Sequence, residues 1–151
     1  MPPDFYLVMA AVMIALGSRR FFHALEAARE RRRRRTLGAL PLRRIADVAP
    51  GARVKIGGTV ERAAADRRGT SFVVRDGSGA ALVHAGSAAL LPAEGASHAV
   101  ARFDPGDPVT VVGVPRPGDP SLDGAGVEGR LVFAGAEAYP LYLVAGVKRP
   151  G

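Results

Sequence analysis

The 151 residues contain no cysteine and no tryptophan. Without cysteine there is no disulfide framework, no thiolate zinc site and no thiol nucleophile. The usual motifs of catalysis are missing as well. His23, His84 and His98 share no metal-ligand spacing, and no H-E-x-x-H pattern occurs. Ser78 lies in a Gly-Ser-Gly triplet that is not the G-x-S-x-G nucleophile elbow. There is no P-loop and no G-x-G-x-x-G fingerprint. Asp76, Asp104, Asp107, Asp119 and Asp123 each adjoin a Gly or Pro, where aspartate serves turns. No catalytic residue, cofactor or metal site is therefore expected. An enzyme, either a hydrolase or a transferase, would need a site that no motif here marks. Internal repeats and a second folded domain are also lacking.

The charge is unevenly placed. The net charge is +7. Residues 1–35 hold eight arginines against Asp4, Glu26 and Glu30, a net of +5, which leaves +2 for residues 36–151. A nucleic-acid module concentrates its positive charge on the folded domain, and this chain does not.

Phe5 to Gly17, "FYLVMAAVMIALG", is uncharged and apolar on every side of a helix. Its large apolar residues are Phe5, Tyr6, Leu7, Val8, Met9, Val12, Met13, Ile14 and Leu16. Thirteen residues rise about 20 Å, short of a hydrocarbon core of about 30 Å. Extending the count from Pro3 to Leu25 supplies the length, with Arg19 and Arg20 snorkelling to the headgroups. A cleaved signal peptide has a basic start, whereas this chain begins "MPPDF". The expectation is a retained membrane anchor; a signal peptide and a helix covered by a protein partner are the alternatives. No Lys or Arg precedes the apolar run, whereas Arg19, Arg20, Arg29, Arg31, Arg32, Arg33, Arg34 and Arg35 follow it. Positive residues stay on the cytoplasmic side, which puts the N-terminus outside and the domain in the cytoplasm at a bacterial inner membrane. The arginines read first as a topology signal and second as a contact to anionic lipid. "HALEAARERRRRR" contains good helix formers and should continue the anchor helix.

Residues 36–151 read as one mainly β domain, a small OB-like barrel behind the single helix of residues 1–35. Residues 36–50 form a lead-in. Arg53–Glu61 alternates, with Val54, Ile56 and Val60 on one face. Gly57 and Gly58 within it predict a bulge or bend. A polar connection "RAAADRRG" follows. "TSFVVR" and "AALVHA" are the next two strands, joined by a hairpin turn at Asp76–Gly79. "SAALLPAEG" reads as a short helix or a turn, with Ser87 as a candidate N-cap. "DPGD" is a turn before the strand Pro108–Val114, and "RPGDPSLDGAG" is a loop. "GRLVFAG" and "YPLYLVAG" are the last strands. Five or six short strands and a helix between the third and fourth suggest a closed OB-type barrel. Val73 and Val111 are candidate core positions.

The order of these pieces resembles the GIDE domain, the family that includes membrane-anchored mitochondrial ubiquitin ligases and many bacterial proteins. The likeness runs through the apolar segment and its basic flank, "PLRRIADVAPG", "VKIGGTV", "FVVRDGSGAALVHAGSAAL", "GDPVTVVGV" and "YPLYLVAG". It implies an OB-like fold and membrane attachment. The ligases carry a RING that binds zinc through Cys and His; a chain without cysteine has none, so ligase activity is not implied.

Two functions from different classes follow. The first is a non-enzymatic interaction or scaffolding module, with membrane lipids and a protein partner. The second is an OB-fold protein for nucleic acid or another polyanion. Such a site stacks bases on aromatic rings and follows the backbone with cations. Arg53, Lys55, Phe72, Arg75 and Phe103 are its candidate face.

Overall fold

The computed structural model describes residues 3–66, 69–92, 102–119 and 131–146. It comprises two compact units, Met1–Ala39 and Leu40–Gly151.

The first unit is helix α1, Pro3–Ala39. The expected anchor and the basic segment are one uninterrupted helix. It continues through Thr36–Ala39, which the sequence reads as lead-in. Proline appears only at its first turn, where the missing N–H costs nothing. Side chains feed back onto the backbone at two points: Ser18 Oγ donates to the Ala15 carbonyl and Thr36 Oγ1 to the Arg32 carbonyl.

Among the described residues, the second unit is a mixed nine-stranded sheet. Its strands are β1 (Leu42–Arg43), β2 (Val54–Asp66), β3 (Gly69–Arg75), β4 (Ala80–His84), β5 (Ala88–Leu91), β6 (Pro108–Gly113), β7 (Pro115–Pro117), β8 (Leu131–Ala134) and β9 (Leu141–Ala145). The order is β5-β9-β6-β2-β3-β4-β8-β7, with β1 beside β2. Pairings β1–β2, β4–β8 and β5–β9 are parallel and the others antiparallel. The path has two ends, β5 and β7, so the ladder is open and the expected closed barrel is corrected on this point.

The expected hairpin is present. Asp76 N–H donates to the Gly79 carbonyl at 3.3 Å, and Gly77 takes φ +84°, where a side chain would be strained. The "DPGD" turn is present too, with Gly106 at φ +89° and Asp107 Oδ2 accepting from Asp104 N–H.

Three sequence expectations change. The bulge falls between Val60 and Arg62, past the two glycines. Gly58 has another role: a Cβ there would overlap the Arg75 carbonyl oxygen and approach Val74 Cγ1 to 2.8 Å. It is glycine because β3 crosses too closely for a side chain. The connection "RAAADRRG" is strand through Asp66, because β2 and β3 keep pairing to Asp66↔Gly69; Arg67 and Arg68 lie outside the described residues. Ala88–Leu91 is a strand, not a helix, and Ser87 ends a single 3-10 turn instead of capping a helix. Pairing of β5 with Leu141–Val144 of β9, some fifty residues away, overrides the helix propensity of Ala and Leu. The rest of that expected helix, and most of the late Gly/Pro loop, lie outside the described residues.

The main core gathers Ile56 and Val60 of β2, Phe72 and Val74 of β3, Val83 of β4, Val109 and Val111 of β6, Phe133 of β8 and Leu143 of β9. Alternation in each strand aims these inward. Val73, Leu82 and Val132, from β3, β4 and β8, form a smaller separate cluster.

Ile45 also joins the main core, and a latch holds it there. Asp76 Oδ2 accepts the Ile45 N–H at 2.7 Å, and Ser78 Oγ accepts the Ala46 N–H at 3.1 Å. The hairpin turn thereby fixes the lead-in more than thirty residues upstream.

Candidate functional site

Four sets of residues are candidates, and they differ in how they are held. In α1, Asp4–Ala39 is long and apolar enough to cross a membrane, and its apolar window has no buried part. A signal sequence near an N-terminus meets the same test of length and apolarity. Ile14 is 72% exposed and Leu7 71%. Phe5, Tyr6, Val8, Met9, Val12, Met13 and Leu16 are exposed as well, as are Phe21 and Phe22 beside Arg19 and Arg20. Each such side chain left in water forgoes about 1.5–3 kcal/mol of burial.

The arginines form two groups along α1. Helical rise puts Arg31 about 16 Å beyond Arg20, roughly twice the Debye length of about 8 Å at physiological salt. Were the helix to stand normal to a bilayer, Arg19 and Arg20 would lie nearest its apolar run and Arg31–Arg35 farther out. Five consecutive residues at about 100° each also encircle the helix, so no single face presents them all to a lipid surface. Glu30 pairs with Arg34 at 3.0 Å and with Arg33 at 3.7 Å.

The proposed nucleic-acid face does not assemble. Phe72 is 1% exposed and Phe103 3%. Their rings pack against each other in the main core, with centroids 5.1 Å apart. Both are core residues, so neither offers a face on which a base stacks; Phe72 alternates inward with Val74, a position its apolar strand context already favours. Arg75 is exposed but engaged, with Nη2 at 3.1 Å from Glu61 Oε2.

Arg53 and Lys55 do lie together, in company the sequence did not indicate. The parallel register Leu42↔Lys55 and Arg43↔Ile56 brings the lead-in alongside β2. Between them opens a cleft of about 420 Å³, lined by Arg43, Asp47, Val48, Arg53, Val54 and Lys55 among others. Arg43 and Asp47 carried no signal beyond the basic pairs Arg43–Arg44 and Arg53–Lys55 on either side of a Pro-Gly turn.

His84 ends β4, and its Nδ1 shares a hydrogen bond of 2.8 Å with Ser71 Oγ across the β3–β4 ladder. The two are direct register partners, and the bond supports the ladder. His23 lies 3.9 Å from Glu26 within α1. His98 falls outside the described residues. Among the described residues no three His, Cys, Asp or Glu side chains cluster to hold a metal.

Asp76 accepts four hydrogen bonds. Besides the Ile45 N–H, it accepts from Ser78 N–H, Ser78 Oγ–H and Gly79 N–H at 2.8, 2.6 and 3.1 Å. Burial works against its charge, but these bonds outweigh that and hold its carboxyl below the usual carboxylate range. All the partners are turn or lead-in groups, which makes the site structural.

Neither a protein-family profile nor a curated protein matches the chain. Among solved structures, the solution NMR structure of the replication factor A related protein from Methanobacterium thermoautotrophicum is similar. The TM-score is 0.39 and the identity 12%, over 72% of this chain and 96% of that one. At that level of likeness neither fold nor ligand transfers from one to the other.

Proposed function

We propose that this protein is a membrane-anchored, non-enzymatic interaction module: a single-pass helix carrying an OB-like domain in the cytoplasm, with the N-terminus outside, at a bacterial inner membrane. The observation behind this reading is the uncovered apolar run of α1, flanked by arginines on its C-terminal side alone. Such a surface needs lipid or a partner to cover it, and the asymmetry of charge orients it. The functional division we propose is residues 1–35 for attachment and 36–151 for interaction.

The OB-like reading is supported by strand order. β6 and β7 stand at separate places on the open path, yet only Val114 separates them in sequence. Taken together, they give β2, β3, β4 and β8 the strand order of an OB fold, with β4 and β8 parallel, in a ladder that stays open at its ends. The GIDE resemblance stands as a proposal about fold and attachment.

Full-length protein should remain in the membrane pellet through carbonate extraction, while residues 40–151 should be soluble. The intact chain in the soluble fraction, free of any partner, would rule out the anchor. Glu137 is exposed; a Glu137→Cys variant labelled by an impermeant reagent from outside intact cells would reverse the orientation.

Polyanion binding by the domain is the second reading, and the pairing of Arg53 with Lys55 at one cleft favours it. The burial of Phe72 and Phe103 counts against single-stranded nucleic acid. The domain is expected to bind single-stranded DNA no better than about 10⁻⁴ M at physiological salt. Micromolar binding that persists at moderate salt would promote this reading.

A further inference from the structure

We infer that the cleft between the lead-in and the start of β2 is a binding site for a small organic phosphate. This goes beyond the role of α1 and holds whether or not the helix spans a membrane. Arg43, Arg53 and Lys55 all line the cleft, with Asp47 as its one carboxylate. Some cations elsewhere are engaged, Arg75 with Glu61, Arg102 with Asp104 and Arg34 with Glu30, while Arg44 and Arg62 stand unpaired among the described residues but outside the cleft lining. Among the described residues, the three in the cleft have no ion pair or side-chain hydrogen bond, and neither has Asp47. Three positive charges against one negative, gathered at a concave surface, repel one another and concentrate positive potential there.

The chemistry selects the ligand class. Guanidinium groups offer forked donors that match two phosphate oxygens, and the ammonium of Lys55, a half-buried residue, adds a point charge. Half-buried Val48 and Val54 supply an apolar wall for the body of the ligand. A volume of about 420 Å³ exceeds what a bare phosphate fills and falls within the range of about 300–1,000 Å³ for organic ligands. The Asp47 carboxylate suits a hydroxyl donor on that body. The walls are also held in advance. Asp76 and Ser78 fix the lead-in at Ile45 and Ala46, and Gly51 N–H donates to the Pro115 carbonyl at 3.0 Å beyond the turn. The backbone of the cleft therefore needs little ordering on binding, and the cost falls on the exposed Arg43 and Arg53 side chains.

The phosphate has two sources, a free metabolite or the headgroup of an anionic lipid, and one experiment separates them. The full chain is reconstituted in phosphatidylcholine nanodiscs and titrated with ADP by calorimetry. A parallel sample contains phosphatidic acid, with lipid retention read by native mass spectrometry. Arg43→Gln, Arg53→Gln and Lys55→Gln should each weaken ADP binding about tenfold, the loss of one charge-assisted contact. Arg44→Gln, outside the cleft lining, and a variant with Arg31 to Arg35 all changed to Gln should bind as the parent does. That pattern with ADP establishes a free phosphate as the ligand. The same pattern in retained phosphatidic acid, with no ADP binding, establishes the lipid source. Binding of neither probe overturns the inference. So does equal weakening by Arg44→Gln or by the arm variant, because diffuse positive charge then accounts for the binding.

Discussion

Asp76→Asn separates the two jobs of one carboxylate. Oδ1 of Asp76 takes the three bonds inside the hairpin turn, from Ser78 N–H, Ser78 Oγ–H and Gly79 N–H. Oδ2 takes the single bond from Ile45 N–H that reaches across to the lead-in. An asparagine oxygen in the Oδ1 place keeps the turn. Its amide then stands where Oδ2 was and sets donor against donor at Ile45. The variant therefore loses one charge-assisted hydrogen bond to a partly buried group, a cost of about 1.5–3 kcal/mol. At about 4 °C per kcal/mol for a domain of this size, the melting temperature of residues 40–151 should fall by about 6–12 °C. The pH dependence supplies an independent check. The folded carboxyl lies below its ordinary value, so its contribution is fully present above the unfolded value of about 3.9 and disappears as pH falls through the folded one. Urea unfolding followed by circular dichroism should show the full gap between parent and variant at pH 7, and a gap that closes steadily below about pH 4. Equal stability at pH 7, or a gap as large at pH 3 as at pH 7, would refute the latch.

Four further outcomes follow from the packing. Val111 is fully buried, so Val111→Asp should cost several kcal/mol and unfold the domain, while Thr110→Asp, half-buried on the other face of β6, should be tolerated in a thermal melt. Gly58→Ala forces a methyl into the Arg75 carbonyl and should destabilise by about 1–3 kcal/mol, read as a lower urea midpoint. Phe72→Ala opens a core cavity and should cost about 3–5 kcal/mol, with loss of stability and no selective effect on polyanion binding. Ile14→Arg places a charge in the middle of the apolar run and should oppose insertion by about 2.5–3.5 kcal/mol, visible as a shift from the membrane pellet to the soluble or degraded fraction.

The features legible in the sequence depend on neighbours along the chain. The apolar run Phe5–Gly17 and its arginines declare a helix that water does not suit, because thirteen uncharged residues leave no polar face. The Asp76–Gly79 and Asp104–Asp107 turns are legible because positive φ at Gly77 and Gly106 is a local demand that glycine meets. Strand alternation places Ile56 and Val111 inside for the same reason, whereas Val73, the other expected core position, is buried in the smaller separate cluster. Features set by residues distant in sequence were not legible. Ala88–Leu91 carries helix formers and is a strand because β9 pairs with it. Phe72 sits in an apolar strand context that favours the core, but that Phe103, thirty-one residues on, packs against it there is decided by the fold. Arg43 and Lys55 are twelve residues apart and meet through a two-residue parallel ladder that no local propensity encodes. Local steric and hydrophobic preferences are written residue by residue, whereas the cleft exists only once Asp76 has drawn the lead-in against the hairpin.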